Sequence, residues 1–74
     1  MNISNENDAR DAVDAWRGEP PRAQFRNLQL AMESLELGQM YYEQKGNDQG
    51  VERLARCLVI LQERKAELDS DLHI

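Results

Sequence analysis

Two stretches of this sequence place apolar residues at alternating intervals of three and four, and only a short break separates them. In the first, Phe25, Leu28, Met32, Leu35, Gln39 and Tyr42 keep that rhythm, with Gln39 the one polar member. In the second, Val51, Leu54, Leu58, Leu61, Lys65, Leu68 and Leu72 keep it, interrupted only by Lys65. Residues three and four apart share one side of an α-helix, so each stretch predicts a helix with a continuous apolar seam. Between them stands Lys45-Gly46-Asn47-Asp48. Gly46 suits the end of one helix, and Asn47 or Asp48 suits the cap of the next. A connection this short forces the two helices to lie antiparallel, so the matched seams meet in a hairpin.

A shorter helix precedes the hairpin. Ala9, Ala12, Val13 and Trp16 fall at i, i+3, i+4 and i+7, while Asp8, Asp11 and Asp14 lie largely elsewhere around the helix. Ser4 or Asn5 can cap its start. Its apolar side is mostly alanine, with Trp16 as the anchor, and a helix this short is marginal in water by itself. Gly18-Glu19-Pro20-Pro21 then breaks the chain, Gly18 suiting a helix end and Pro21 the first turn of the next helix. The expected architecture is all-α and a single domain over residues 1–74, with helices at about 5–17, 21–45 and 48–69. It is an antiparallel helical hairpin of two long helices with a short N-terminal helix packed on it.

Size makes this arrangement precarious. The chain has 74 residues and one cysteine, Cys57, so an intrachain disulfide is impossible. Below about 70–80 residues a single core seldom supplies more than a few kcal/mol, and some further support is usual. Nine Lys+Arg against fourteen Asp+Glu give a net charge of −5, a poor match for nucleic acid or an anionic membrane. No run approaches the roughly 18 apolar residues of a membrane span. Met1–Arg10 holds Glu6 and Asp8 and has no apolar signal-like core, so the expected location is cytoplasmic.

Each long helix also carries apolar residues off its seam. On the first these are Leu30, Leu37 and Tyr41, with Met40 between faces; on the second they are Cys57, Val59 and Ile60. A two-helix hairpin cannot bury both sets, and the alanine-rich leading helix covers only part of them, chiefly with Trp16. Met32, Met40, Tyr41 and Tyr42 add adaptable side chains that serve a core or a partner contact. The predicted partner-binding positions are therefore Trp16, Leu30, Leu37, Tyr41, Cys57 and Ile60.

Residues 31–64 resemble a single tetratricopeptide repeat, a helix–turn–helix unit of 34 residues. The likeness rests on Leu37-Gly38 followed by Tyr41, then on Gly50, Leu54 and Cys57 where the repeat sets a small, a large and a small residue. Ser34 stands where the repeat prefers tryptophan, Gly50 and Cys57 replace alanines, and Gln62 replaces the closing proline. Such repeats normally stack in arrays, because one alone cannot bury its faces. The size, acidity and hairpin shape are also similar to the small co-chaperones of bacterial type III secretion systems, with a looser likeness at Leu28–Met40. Both resemblances imply a protein-binding role.

Candidate reactive groups point away from catalysis. Cys57 is the only thiol, the only histidine is His73 near the end of the sequence, and no nucleophile has a base at matching spacing. Asp69, Asp71 and His73 alternate in the manner of ligands on an extended tail, but ordering three flexible ligands is costly, so a solvated tail and no metal or cofactor are expected. Arg22, Arg26, Arg53 and Arg56 sit among acids, with Glu52 and Arg56 at i, i+4, which reads as solvated ion pairs. The expected function is a non-enzymatic protein-binding module, a small chaperone or adaptor that buries a partner's apolar helix or self-associates through the same faces. The alternative is a small acidic inhibitor of the phage type, using Asp8, Asp11 and Asp14 to block a basic, nucleic-acid-binding protein.

Overall fold

The computed structural model describes residues 2–72 as three helices and, among those residues, no strand. They are α1 (Glu6–Trp16), α2 (Pro21–Gln44) and α3 (Asp48–Leu72). The all-α expectation holds, and the helix bounds differ from those expected chiefly at the end of α3. There the helix continues through Asp69 and Asp71, both exposed, where a solvated tail is expected. No proline or glycine follows Gly50 to stop it, and acids in a last turn cost only a few tenths of a kcal/mol each at an exposed surface. His73 lies outside the described residues.

Local chemistry accounts for each helix start. Asn5, in extended backbone, caps α1 by accepting a hydrogen bond from the Asp8 amide at 2.8 Å. Asp8 in turn accepts from the Ser4 amide at 3.0 Å and the Ser4 hydroxyl at 2.9 Å. The two residues thus satisfy donors on both sides of the helix start, a variant of the capping box. Pro21 occupies the first turn of α2, where its missing N–H is no loss. Gly46 adopts φ +71°, and Asn47 accepts from the Gly50 amide at 3.0 Å to begin α3. Gly18, by contrast, does not take up a left-handed conformation.

Contacts between α2 and α3 pair in reversed order along the chain: Gln24 with Arg64, Gly38 with Leu54, Tyr42 with Gly50. That is the order an antiparallel hairpin requires. Leu28, Leu35, Leu54, Leu58, Leu61 and Leu68 are buried between the helices, as the seams predict. The inner face of α2 is nevertheless turned toward the row Gln24, Leu28, Ala31, Leu35, Gly38 and Tyr42, since Gln24 is buried and Phe25 only half-buried. Small residues on that row set the helix separation. A Cβ on Gly38 would lie 2.7 Å from Leu54 Cδ1, and one on Gly50 would lie 2.7–2.9 Å from three Tyr42 ring carbons. Gln39, the polar member of the seam, donates to the Val51 carbonyl at 3.3 Å.

The short helix packs chiefly on α3. Ala9 and Ala12 are fully buried and Val13 nearly so, because their small side chains bring the α1 backbone close. Glu6 reaches Arg56 of α3 at 2.8 Å and Arg10 at 3.5 Å. The i, i+4 partner expected for Arg56, Glu52, is therefore displaced by an acid from another helix. Gln24 of α2 joins the α1–α2 connection to α3. Its amide donates to the Glu19 carbonyl at 2.7 Å and the Arg17 carbonyl at 3.4 Å, and its oxygen accepts from Arg64 at 3.0 Å. The whole measures 43 × 20 × 15 Å.

Candidate functional site

The six predicted partner-binding residues separate into two groups. Leu30, Leu37 and Tyr41 are exposed on α2 at 59%, 67% and 57% of their full surface, and Met40 joins them at 56%. At 3.6 residues per turn the first three fall within about 40° of one another, on the side of α2 turned away from Leu28 and Leu35. From Leu30 to Tyr41 the row spans about 16 Å at 1.5 Å rise per residue. Three large apolar side chains thus recur along one side of α2, with exposed Ser34 between Leu30 and Leu37 and Met40 off to one side. Val59, by comparison, is the one large apolar residue exposed on the described part of α3, which calls for no partner.

Cys57 and Ile60 are the other group, and α1 has taken their face. Cys57 is fully buried in the cluster containing Ala9, Val13, Leu54, Leu58 and Leu61, and Ile60 packs against that cluster. No partner can touch Cys57 without displacing the core. Burial pushes its thiol above the ordinary range, and the negative charges of Glu6 and Asp8 push it further in the same direction. The thiolate needed for nucleophilic or redox chemistry is thereby disfavoured.

Trp16 lies between the two groups. It is half-buried against the core and, with Ile3, Asn27, Leu30, Ala31 and Ser34, lines a shallow groove of about 220 Å³ beside the exposed row. The extended segment before α1 places Ile3 in this groove. A neighbouring depression of about 330 Å³ runs past Ser34 and Gly38 to Tyr41 and Tyr42. Leu30 and Tyr41 therefore belong both to the exposed row and to the walls of these depressions.

Electrostatics around the row are mild. Lys45 Nζ stands 5.7 Å from the Tyr41 ring centroid, and the Tyr41 and Tyr42 rings meet edge to face at 5.6 Å. Arg53 donates to the Tyr42 hydroxyl at 3.3 Å from the inner side. The acids of α1 are partly engaged within the chain, Asp8 by Ser4 and Asp14 by Arg17 at 3.2 Å. Ser4's amide and hydroxyl, with the Asn5 amide, hold the Asp8 carboxyl below the usual carboxylate range. Among the described residues no group of three or more His, Cys, Asp or Glu is placed to hold a metal ion, and no helix is long and apolar enough to cross a membrane.

Gln24 and the arginine it holds are the structural residues that sequence reasoning missed. Their signal was present: Gln24 lies one turn before Leu28 on the inner row, beside a break whose carbonyls lack helical partners. No family model, curated protein or solved structure matches the chain.

Proposed function

We propose that this chain is a non-catalytic helical interaction module, cytoplasmic and of the adaptor or small-chaperone kind, whose working surface is the outer face of α2. The observation that carries this reading is the exposed row Leu30, Leu37 and Tyr41 with Met40, left open while α1 covers the equivalent face of α3. A row of this spacing suits an amphipathic helix laid along it, with apolar anchors meeting in the helix-in-groove manner. Leu30, Leu37 and Tyr41 supply the contact, and Trp16 borders it. Cys57 and Ile60 pack against α1 and take no part in this contact. The tetratricopeptide-like sequence of residues 31–64 and the likeness to type III secretion co-chaperones accord with such a role.

Photo-cross-linking in cells tests it. Leu37→benzoylphenylalanine places a reactive ketone at the centre of the row, and the same residue at Gln62, exposed on α3, serves as control. Adducts from position 37 and none from position 62 are expected. Equal labelling from both, or none from 37, sinks the reading. Loss of binding on charge reversal at Asp11, with a steep salt dependence, would favour the acidic-inhibitor mode instead.

A further inference from the structure

Residues 2–5 precede α1 and hold one large apolar side chain, Ile3, among the uncharged polar residues Asn2, Ser4 and Asn5. Ile3 does not lie where α1 lies. Whereas α1 packs chiefly on α3, Ile3 rests on α2 against Ala31, Ser34 and Leu35, across a residual gap of about 20 Å³ with room for about one water. The same side chain walls the groove at Trp16 and Leu30 and the depression at Gly38 and Tyr41. Ile3 and Ser34 are thus common to all three hollows. Ser34 belongs to α2 itself, so Ile3 is the partition laid across them.

These residues are fastened separately from the helix that follows. Among the described residues, the hydrogen bonds of Asn2, Ile3 and Ser4 all go to one atom, Asp8 Oδ2. It accepts from the Ser4 amide at 3.0 Å and from the Ser4 hydroxyl at 2.9 Å, and both bonds are exposed to solvent. The helix is held by other means: Ala9, Ala12 and Val13 are buried, and Glu6 meets Arg56 at 2.8 Å. Its cap is independent too, because the Asp8 amide donates to Asn5 Oδ1 whatever side chain position 8 carries. A segment tied by one apolar side chain and two exposed hydrogen bonds opens at lower free energy than a helix with a buried face.

We propose that residues 2–4 form a strap, hinged at Asn5, that closes an apolar groove along α2 in cis. Ile3 is its plug and the Ser4–Asp8 pair is its latch. When the latch parts, the three hollows join into one groove running from Trp16 past Ala31 and Leu35 to Tyr42, while α1 stays docked on α3. The occupant of the closed groove is Ile3 itself, so the device holds whether or not the outer row of α2 binds a helix. Leu30 and Tyr41 stand in the walls of the hollows as well as in the exposed row, so opening the strap widens that row inward.

Three readouts on the full chain test the strap: emission of Trp16, the single tryptophan, binding of the neutral dye Nile red, and alkylation of Cys57 by iodoacetamide. Asp8→Ala removes the latch and keeps the Asn5 cap. It should move Trp16 emission to longer wavelength and raise Nile red binding at least about twofold, the low end for loss of one net hydrogen bond. Cys57 should label no faster than in the native chain. Ile3→Ala keeps the latch, removes the plug, and should raise Nile red binding likewise. Asp11→Ala, which removes an exposed charge from α1, should leave emission and dye binding unchanged. Native dye binding in Ile3→Ala overturns the plug, and native dye binding or native Trp16 emission in Asp8→Ala overturns the latch. Dye uptake matched by faster Cys57 labelling overturns the separate strap, because α1 has then left with it. An equal gain in Asp11→Ala overturns it as well, since charge rather than the latch then governs uptake.

Discussion

The two long helices are built alike and end differently. Each carries an apolar seam toward the other and a second apolar set outside it. On α3 Cys57 and Ile60 of that set are covered by α1 while Val59 stays exposed; on α2 the set of Leu30, Leu37 and Tyr41 stays open. The difference lies in what covers each face rather than in its hydrophobicity. Alanines at positions 9 and 12 let the α1 backbone press on α3, Glu6–Arg56 ties α1 to α3, and Gln24 of α2 holds both the Arg17 carbonyl at the end of α1 and Arg64 of α3. Ile3 and Trp16 reach toward α2, and they stop at the edge of its exposed row. An alanine face that looks thin by hydrophobic count is nevertheless fully buried at Ala9 and Ala12.

The widest contrast should be between a leucine on the covered side and one on the open side. Leu61→Ala, at a fully buried position, is expected to cost about 2–5 kcal/mol, enough to unfold much of a chain this small. Leu37→Ala should cost no more than about 0.5 kcal/mol as a monomer effect. Urea denaturation followed by circular dichroism measures both; similar losses would show that the open face is already covered in solution.

Next in size is the tie at Gln24. Gln24→Ala leaves the Glu19 and Arg17 carbonyls and the Arg64 guanidinium short of partners, so a loss of about 1–3 kcal/mol is expected. Gln24→Leu should recover little, because the shape is restored and the hydrogen bonds are not. Equal stability of Gln24→Leu and the native protein would show that the network is dispensable.

The two helical glycines sharpen the picture further. Gly50→Ala drives a methyl into the Tyr42 ring, and the overpacking cost of about 1–3 kcal/mol should exceed the gain of about 1 kcal/mol in helix propensity. Gly38→Ala meets only the terminal methyl of Leu54, which can turn aside, so its change should be near zero. Thermal unfolding should therefore separate two identical substitutions, and a larger loss at Gly38 would contradict this ordering.

The smallest effect concerns acid. The Asp8 carboxyl titrates below its unfolded value in the folded chain, so its contribution is present above the unfolded pKa and is lost as pH falls through the folded one. Ser4→Ala removes the hydroxyl and keeps the amide donor, so it should return the Asp8 pKa only part of the way toward the ordinary carboxylate value, read by NMR titration. An unmoved value would mean that the Ser4 hydroxyl does not hold the carboxyl.

Much of this was legible in the residues. The spacing of three and four, Gly46 and Pro21 together specify three helices and the breaks between them within a residue or two, though α3 runs three residues past its expected end, because periodicity and backbone chemistry act locally. The face chosen by α1 was not legible. Cys57 and Leu37 both lie off the principal seams, and the choice between covering one or the other turns on close alanine packing and a salt bridge fifty residues apart in sequence. Gln24 was hidden for a related reason. A buried amide is intelligible only once the Arg17 and Glu19 carbonyls and the Arg64 side chain converge on it.

The left-handed turn at Gly46 carries a consequence for the order of folding. It joins α2 to α3 through neighbours in sequence, so loop closure there is entropically cheap and the hairpin can form early. The contacts of α1 with α3 close a far longer loop, and they should form last and open first. Native-state hydrogen exchange should accordingly show α1 exchanging through a partial opening that leaves the hairpin protected. In such an opened state Cys57 becomes accessible while α2 is unchanged, which makes the rate of thiol labelling a clock for the departure of α1 from the hairpin.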